Sequence, residues 1–438
     1  MHLYNFILEN VFLPIGDLLL RSHYISSLKE KRKVLFLPEN ELKILEKENL
    51  KKVLKNAVEN TEFYNSIALE GDNPFEWLKK FPIVDKKILN ANGLKMLTCE
   101  VKGLKIFKSS GSSGIQSMVY MSRKEVFNLR AILTSWWELE GFVIGGFVLQ
   151  TGMSPKRSVE KKLKDIFFRT KYFVAFELNE NKVLSALNKI KNQSTVLIGY
   201  ASSINFIAQV ALKNNLKVKF KSVISLGDKL YAHYRKNLES AFQCKVYDTY
   251  GSSEGFMIGF QYDLDYLYQY THQTYLEILD DNGNPVPDGV MGNVVVTRLD
   301  GFSMPLIRYK LGDLAIKLPK DKYPDKRKLA FPILQQIIGR NTDVLKTPNG
   351  NVLNVHFFTG IIEHYQEIEQ FRVLQTKINE LNIEIIKGEK FTEVVWEKLR
   401  KDLSSKLNDP SVKVIYTFVT EIPSSKSGKP EIVKSLIH

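Results

Sequence analysis

Between Lys108 and Gly114 the chain packs Ser109, Ser110, Gly111, Ser112, Ser113 and Gly114 into one short stretch, KSSGSSG, behind a short apolar run. Its glycines permit the tight, positive-φ backbone that points amide hydrogens at phosphate oxygens, and the serines add hydroxyl donors. That is the chemistry of a phosphate cradle. It is not a Walker loop, because no Gly-Lys-Ser/Thr succeeds it at the required spacing. Alone, such a loop is more often a plain turn.

Further on, YDTYGSSEG also comes after a strand-like run. Tyr250 suits stacking on a purine, Gly251 and Ser252 let a flat ligand approach the backbone, and Glu254 offers a hard oxygen ligand to Mg²⁺ beside phosphates. In MPLIRYKLGD the apolar run Pro305 to Tyr309 predicts a strand whose end carries Asp313. A carboxylate placed there accepts both hydroxyls of a ribose, unless it pairs with Arg308 as a structural salt bridge. GRNTDVLK, Gly339 to Lys346, supplies Arg340. SSKSGK, Ser424 to Lys429, lies in a segment with prolines on both sides and so on an exposed loop, where Lys429 is a charge that another surface can use. Most lysines so placed merely decorate a surface.

The elements that must position these residues change character along the chain. From about Glu39 to Leu94 apolar residues recur at helical spacing, with Asp85 as a helix N-cap. From Ile106 short apolar runs (FVLQ, TVLIGY, VKFKSVISLG, CKVYDTYG) alternate with helical stretches, the pattern of a mostly parallel sheet with covered faces. After Tyr275 the texture becomes that of antiparallel strands around Asn282-Gly283 and a Pro-Asp-Gly turn. Beyond Arg340 a strand, helix, strand, helix, strand order reads as a separate compact domain. The fold class is therefore α/β, with a large multi-sheet N-terminal domain over 1–339 and a small α+β domain over 340–438.

A length of 438 residues accommodates two domains, and 44% hydrophobic with 11% aromatic content is that of a folded chain. Two cysteines, Cys99 and Cys244, with no CxxC pair, provide neither a disulfide framework nor a cysteine-built zinc site and point to a reducing cytoplasm. A net charge of +14 favours anionic partners such as nucleotides, phospholipid surfaces or acidic sugars. No RNA-recognition, zinc-finger or helix-turn-helix signature accompanies it, so nucleic acid is not an expected partner.

The opening MHLYNFILENVFLPIGDLLLR has no basic region before its apolar run, and Asn5, Glu9, Asn10, Pro14 and Asp17 interrupt it. It falls short of the roughly 20 clean apolar residues of a membrane span. With Arg21, Lys29, Lys31, Arg32 and Lys33 behind it, the segment 1–33 either forms an interfacial anchor on the cytoplasmic membrane face or packs on its own domain.

In their order, these motifs resemble the adenylate-forming superfamily of acyl-CoA synthetases, peptide-synthetase adenylation domains and luciferases, most of all the phenylacetate-CoA ligase branch with its CapK-like proteins linked to capsular polysaccharide synthesis. The resemblance spans Lys108 to Lys429. It implies a mobile C-terminal domain, ATP and Mg²⁺, a carboxylic acid substrate activated to an acyl-adenylate with release of pyrophosphate, and coenzyme A as acceptor. It further implies that Ser109 to Gly114 cradle the β and γ phosphates. Gly227 and Asp228, with Tyr250, would frame adenine; Glu254 would bind Mg²⁺; Asp313 would hold the ribose with Arg340 nearby; and Lys429 would bridge the attacking carboxylate and the α-phosphate.

Three positions depart from the family's pattern. Thr342 stands where many relatives carry a hinge aspartate or lysine, no lysine comes after Gln116 in the phosphate loop, and Gln261 to Tyr268 lacks the cysteines that bind zinc in some members. A structural zinc is not expected.

Other readings are open at this stage. Transfer to an amine or hydroxyl, for instance on an amino sugar, or AMP transfer keeps the adenylation chemistry and changes only the acceptor. An amidase-signature hydrolase matches KSSGSSG and nothing at Tyr250 to Glu254, Arg308 to Asp313 or Lys429. A non-catalytic scaffold would have no need of Glu254 and Lys429 together.

Overall fold

The computed structural model describes residues 2–108, 118–152, 158–175, 178–190, 193, 195–340, 344–349, 352–362, 365, 367–407, 409–423 and 432–437. It divides into two units: Met1–Leu311 with Ala315–Ile337, and Ile338–His438 with the strip Gly312–Leu314.

The first unit opens with helix α1 (His2–Ile7), a π-helical turn over Leu8–Phe12, and α2 (Leu13–Leu20). Arg21, at φ 48°, ends the run in the left-handed region. Then come α3 (Tyr24–Val34), α4 (Glu39–Asn60), α5 (Pro74–Lys79) and α6 (Lys86–Asn92), in the stretch where apolar spacing predicts helices. Asp85 caps α6 by accepting the Ile88 amide at 2.8 Å.

Strands β1 (Lys105–Lys108) and β2 (Met118–Met121) pair antiparallel, so the serine–glycine loop, itself outside the described residues, joins two strands. Helix α7 (Arg123–Leu139) starts only after β2, with Ser122 and Glu125 capping each other's backbone amides.

Strand and helix then alternate: β3 (Phe147–Gly152), α8 (Val159–Phe167), β4 (Thr170–Val174), α9 (Glu180–Ile190), β5 (Thr195–Tyr200), α10 (Ala201–Lys213), β6 (Ser222–Leu226), α11 (Ala232–Phe242) and β7 (Val246–Gly251). All neighbouring pairs among these strands are parallel, as the short apolar runs predict. Leu149, Leu197, Val223 and Val246 pack with α9, α10 and α11 into one core.

Then come β8 (Met257–Phe260), β9 (Leu267–Gln269), β10 (Thr274–Leu279), β11 (Met291–Arg298), β12 (Tyr309–Lys317) and β13 (Ile333–Arg340), with β7–β8, β8–β9, β9–β13 and β10–β11 pairing antiparallel. The result is an 11-stranded sheet in the order β10-β11-β12-β13-β9-β8-β7-β6-β5-β3-β4. A second core joins α4 and α5 to the antiparallel part through Leu50, Leu54, Trp77, Ile258, Val296 and Tyr309.

One expectation is corrected here. Pro305 to Tyr309 does not form the strand; β12 begins at Tyr309 and continues to Lys317, so Asp313 is mid-strand rather than at a strand end. Pro305 lacks an amide donor and Arg308, at φ 48°, turns the chain just before the ladder starts.

The second unit holds β14 (Val344–Lys346), β15 (Val352–Asn354), α12 (Val355–Ile362), β16 (Ile368–Lys377), β17 (Glu380–Lys387), α13 (Glu393–Leu407), β18 (Lys413–Phe418) and β19 (Val433–Ser435). Its 4-stranded sheet runs β18-β17-β16-β19, with Val373, Ile383, Ile385 and Leu399 in its core. The simple alternation expected there is also corrected: β16 and β17 join directly through Ile378 and Asn379, too short a link for a helix. The molecule is thus a mixed α/β chain with a large multi-sheet N-terminal part and a smaller C-terminal one.

Candidate active site

Strands β5, β6 and β7 run side by side in one direction, with Tyr200 opposite Leu226 and Ser225 opposite Asp248. The residues just beyond the three strands therefore collect along one edge: Ala201, then Gly227 and Asp228, then Ser252. In parallel sheets the crevice outside the carboxyl ends of the strands is where ligands bind. The sheet brings together two of the sequence-predicted groups, Gly227–Asp228 and Tyr250–Glu254.

At β6 the turn depends on Gly227, which adopts φ 80° and leaves no space for a Cβ against the Tyr200 ring. Asp228 then points its carboxylate at the start of α10. It accepts the amides of Ala201 and of Ser202, the latter at 3.1 Å, and the Ser202 hydroxyl at 2.5 Å. This caps a helix that has no capping side chain at its own first position, and it sets a negative charge on the positive end of the helix.

At β7 the strand includes Tyr250, half-buried and opposite Gly259. A Cβ on Gly251 would meet the Phe256 carbonyl at 2.8 Å. The loop beyond closes through Ser252 N donating to Phe256 O (2.9 Å) and Gly255 N donating to Ser252 O (3.0 Å). Glu254 is thereby turned inward, only 5% exposed, and accepts hydrogen bonds from the Tyr309 hydroxyl (3.3 Å) and the Ser253 hydroxyl (3.3 Å). Ser252 Oγ is buried with no partner among the described residues.

An inward carboxylate two residues along the same loop from a serine hydroxyl without a partner fits Mg²⁺, which uses one or two carboxylates and fills its other positions with water and phosphate oxygens. Among the described residues no group of three His, Cys, Asp or Glu forms a cage built by protein alone.

The remaining expected residues are more dispersed. Asp313 sits on β12, half-buried, within the short strip that groups with the second unit. Its suggested partner is engaged elsewhere: Arg308 donates from Nε and Nη2 to Glu277 at 3.2 and 3.1 Å and from Nη1 to the Phe81 carbonyl. Arg340 ends β13, but its side chain lies outside the described residues, as do Ser109 to Gly114, Gln116, Thr342 and Lys429.

Sequence reasoning misses two acids beneath the same edge. Burial pushes the Asp248 carboxyl up from its ordinary 3.8 to about 7, against the pull of the Arg235 guanidinium. Glu140, just past the end of α7, is buried, and burial with the nearby Asp248 charge holds its carboxyl well above the usual range. Gln261 ties this region together by accepting from Arg235 Nη2 (2.7 Å) and the Asp248 amide (3.0 Å). The only hint in the sequence is an acid inside the apolar strand run VYDTY.

Comparison with known proteins bears on the relatives and the fold of the chain. The CapK C-terminal domain family matches residues 345–436. Protein CapK of Staphylococcus aureus is 24% identical over 426 residues, covering 93% of this chain and 91% of its own. The chain is a CapK homologue. It is also 30% identical to phenylacetate-coenzyme A ligase of Pseudomonas putida over 141 residues, 31% of this chain and 30% of that one. In three dimensions it resembles 2-hydroxyisobutyryl-CoA ligase, solved in the postadenylation state in complex with R3-HIB-AMP, with a TM-score of 0.74 and 18% identity over 92% of this chain and 91% of that one. The fold is that of the adenylate-forming ligases, which the ordered motifs predict.

Proposed function

We propose that the protein is an AMP-forming acid ligase. One observation carries this reading: the two glycine-containing segments that the motifs single out meet at the carboxyl ends of β6 and β7, in a fold shared over nearly the whole chain with a ligase solved with an acyl-adenylate. An oxygen of the substrate carboxylate attacks the α-phosphorus of ATP, the bond to the β-phosphate oxygen breaks, and pyrophosphate leaves an acyl-adenylate. In the second step the sulfur of coenzyme A attacks the acyl carbonyl and AMP departs.

Each residue has a task in that scheme. Ser109 to Gly114 hold the outgoing phosphates, Gly227 and Tyr250 flank the base, and Asp313 takes the ribose with Arg340 nearby. Glu254 is the residue that would hold Mg²⁺, with Ser252 on the same loop, and the ion would supply charge to offset that on the phosphate oxygens. Lys429 supplies the one cation needed as the carboxylate reaches phosphorus. The likeness to CapK supports a place in capsular or other surface polysaccharide synthesis, and two cysteines with no CxxC pair fit a reducing cytoplasm. Pyrophosphate release measured across a panel of carboxylic acids tests the reaction class. It should appear only with a suitable acid, together with AMP, whereas steady formation of ADP and phosphate would rule the reading out.

A further inference from the structure

Helix α8 is amphipathic in the ordinary way but oriented the opposite way to a core helix. Val159, Leu163 and Ile166, at the i, i+4, i+7 spacing of one helical face, are each more than half exposed. Beside it, the run α1–α2 also turns an apolar face outward through Phe6, Leu18 and Leu19. These six side chains are between 53% and 80% exposed.

The two faces are continuous. The rings of Phe12 and Phe167 stand 6.3 Å apart, the Tyr4 hydroxyl donates to the Phe167 carbonyl at 2.6 Å, and the Arg169 guanidinium lies 4.0 Å from the Tyr4 ring centre. A patch of this kind, spread over two helices, marks an interaction site rather than ordinary scattered surface.

The charges select the partner. Both acids of α1–α2 are turned toward the protein: Glu9 accepts from Arg32 at 2.6 Å, and Asp17 accepts the amides of Tyr24 and Ile25 at 2.8 and 2.7 Å. Among the described side chains of α8 the exposed charges are Lys161 and Lys162, while Asp165 is half-buried, and Arg21 and Arg123 stand at the end of α2, where Arg123 donates to the Leu20 carbonyl. A second copy docked by two-fold symmetry would bring like-charged rims together, whereas an anionic lipid surface complements them.

Leu3–Leu20 is 18 residues long and apolar enough to cross a membrane by length and composition alone. Yet crossing would tear out the buried Asn5 and Leu8 and the Glu9 and Asp17 contacts. A helix so tied on one side lies flat on a bilayer.

We propose that α1–α2 and α8 together form one membrane-docking face, seated in the headgroup–acyl boundary of an anionic bilayer with Arg21, Arg123, Lys161 and Lys162 at the lipid phosphates. This face is independent of the ligase reading.

The test is co-sedimentation of the full chain with phosphatidylcholine vesicles, with and without phosphatidylglycerol. Binding should be several-fold stronger to the anionic vesicles and should weaken at high salt. Leu18→Glu/Leu19→Glu and, separately, Val159→Glu/Ile166→Glu should each lower it by about tenfold or more with unchanged melting, since the side chains are exposed. Hydrogen exchange of the unaltered protein should show vesicle-dependent protection in both 2–20 and 159–167. Wild-type binding by the α8 pair, or protection confined to 2–20, would overturn the composite face. Absence of vesicle binding would overturn the proposal outright, and so would a concentration-dependent dimer that the same substitutions abolish while vesicles stay unbound.

Discussion

Tyr309 donates its phenolic proton to Glu254 across 3.3 Å, linking the first residue of β12 to the loop after β7. The tyrosine is fully buried, so this bond fixes where the carboxylate can point. Glu254→Gln keeps the shape and removes the charge. Adenylation should fall by about a hundredfold or more, with a raised Mg²⁺ requirement. Tyr309→Phe, which leaves the charge in place, should cost about tenfold or less. An unchanged rate and metal dependence in Glu254→Gln would make the residue structural.

Lys429→Ala is expected to separate the two half-reactions. The resemblance gives this lysine to the attack on phosphorus alone, so pyrophosphate release should drop by orders of magnitude. Supplied with preformed acyl-adenylate, the variant should still pass the acyl group to its acceptor. Equal loss in both steps, measured by quenched flow, would count against an alternating C-terminal domain.

Arg308→Ala should destabilise the first unit. The pair it forms with Glu277 is shielded, with the two side chains 11% and 14% exposed, and burial already raises the Glu277 carboxyl while Arg308 counters it. Removing the cation leaves an uncompensated carboxylate, a loss of about 3–5 kcal/mol in urea unfolding. Alanine meets the same left-handed backbone that arginine does, so the loss reports the side chain's own contacts, the ion pair with Glu277 and the hydrogen bond to the Phe81 carbonyl.

Asp248 predicts a pH signature. Its folded value, about 7, lies above the ordinary 3.8, so the folded state holds a proton that the unfolded chain has released. Its stabilising contribution is therefore complete below pH 3.8 and is lost as pH rises through about 7. Asp248→Asn should gain stability relative to the parent between those limits and show a constant difference above them. Denaturation midpoints at intervals across this range provide the check; a flat difference would mean that Asp248 is ionised throughout.

Much of this architecture is legible in the chain because it obeys local rules. Helical spacing locates α4, and Asp85 announces the start of α6. The unbroken run TVLIGY identifies β5 as a strand covered on both sides. Partnerships across long separations cannot be read locally. Asp228 meets Ser202 only because α10 and β6 fold back on one another, and Arg308 finds Glu277 rather than its near neighbour Asp313. The placement of Asp313 is obscured by Arg308, whose left-handed backbone no pattern of apolar residues discloses. The N-terminal run is ambiguous for a different reason: its inner face packs through Leu8 while its outer face stays exposed, so its apolar residues follow no single burial pattern.

The cap that Asp228 places on α10 also bears on which part of a nucleotide can lie above it. Helix N-termini commonly attract phosphate because their free amides are unsatisfied and their dipole is positive. Here the amides of Ala201 and Ser202 are taken and the pole is neutralised by the protein's own anion. A triphosphate drawn to that spot would meet a carboxylate of its own sign, while an uncharged aromatic ring resting on Gly227 would meet neither attraction nor repulsion. The edge is thus polarised along its length, with β6 fit for the neutral end of a ligand and the segment after β7 for the end that carries charge and metal.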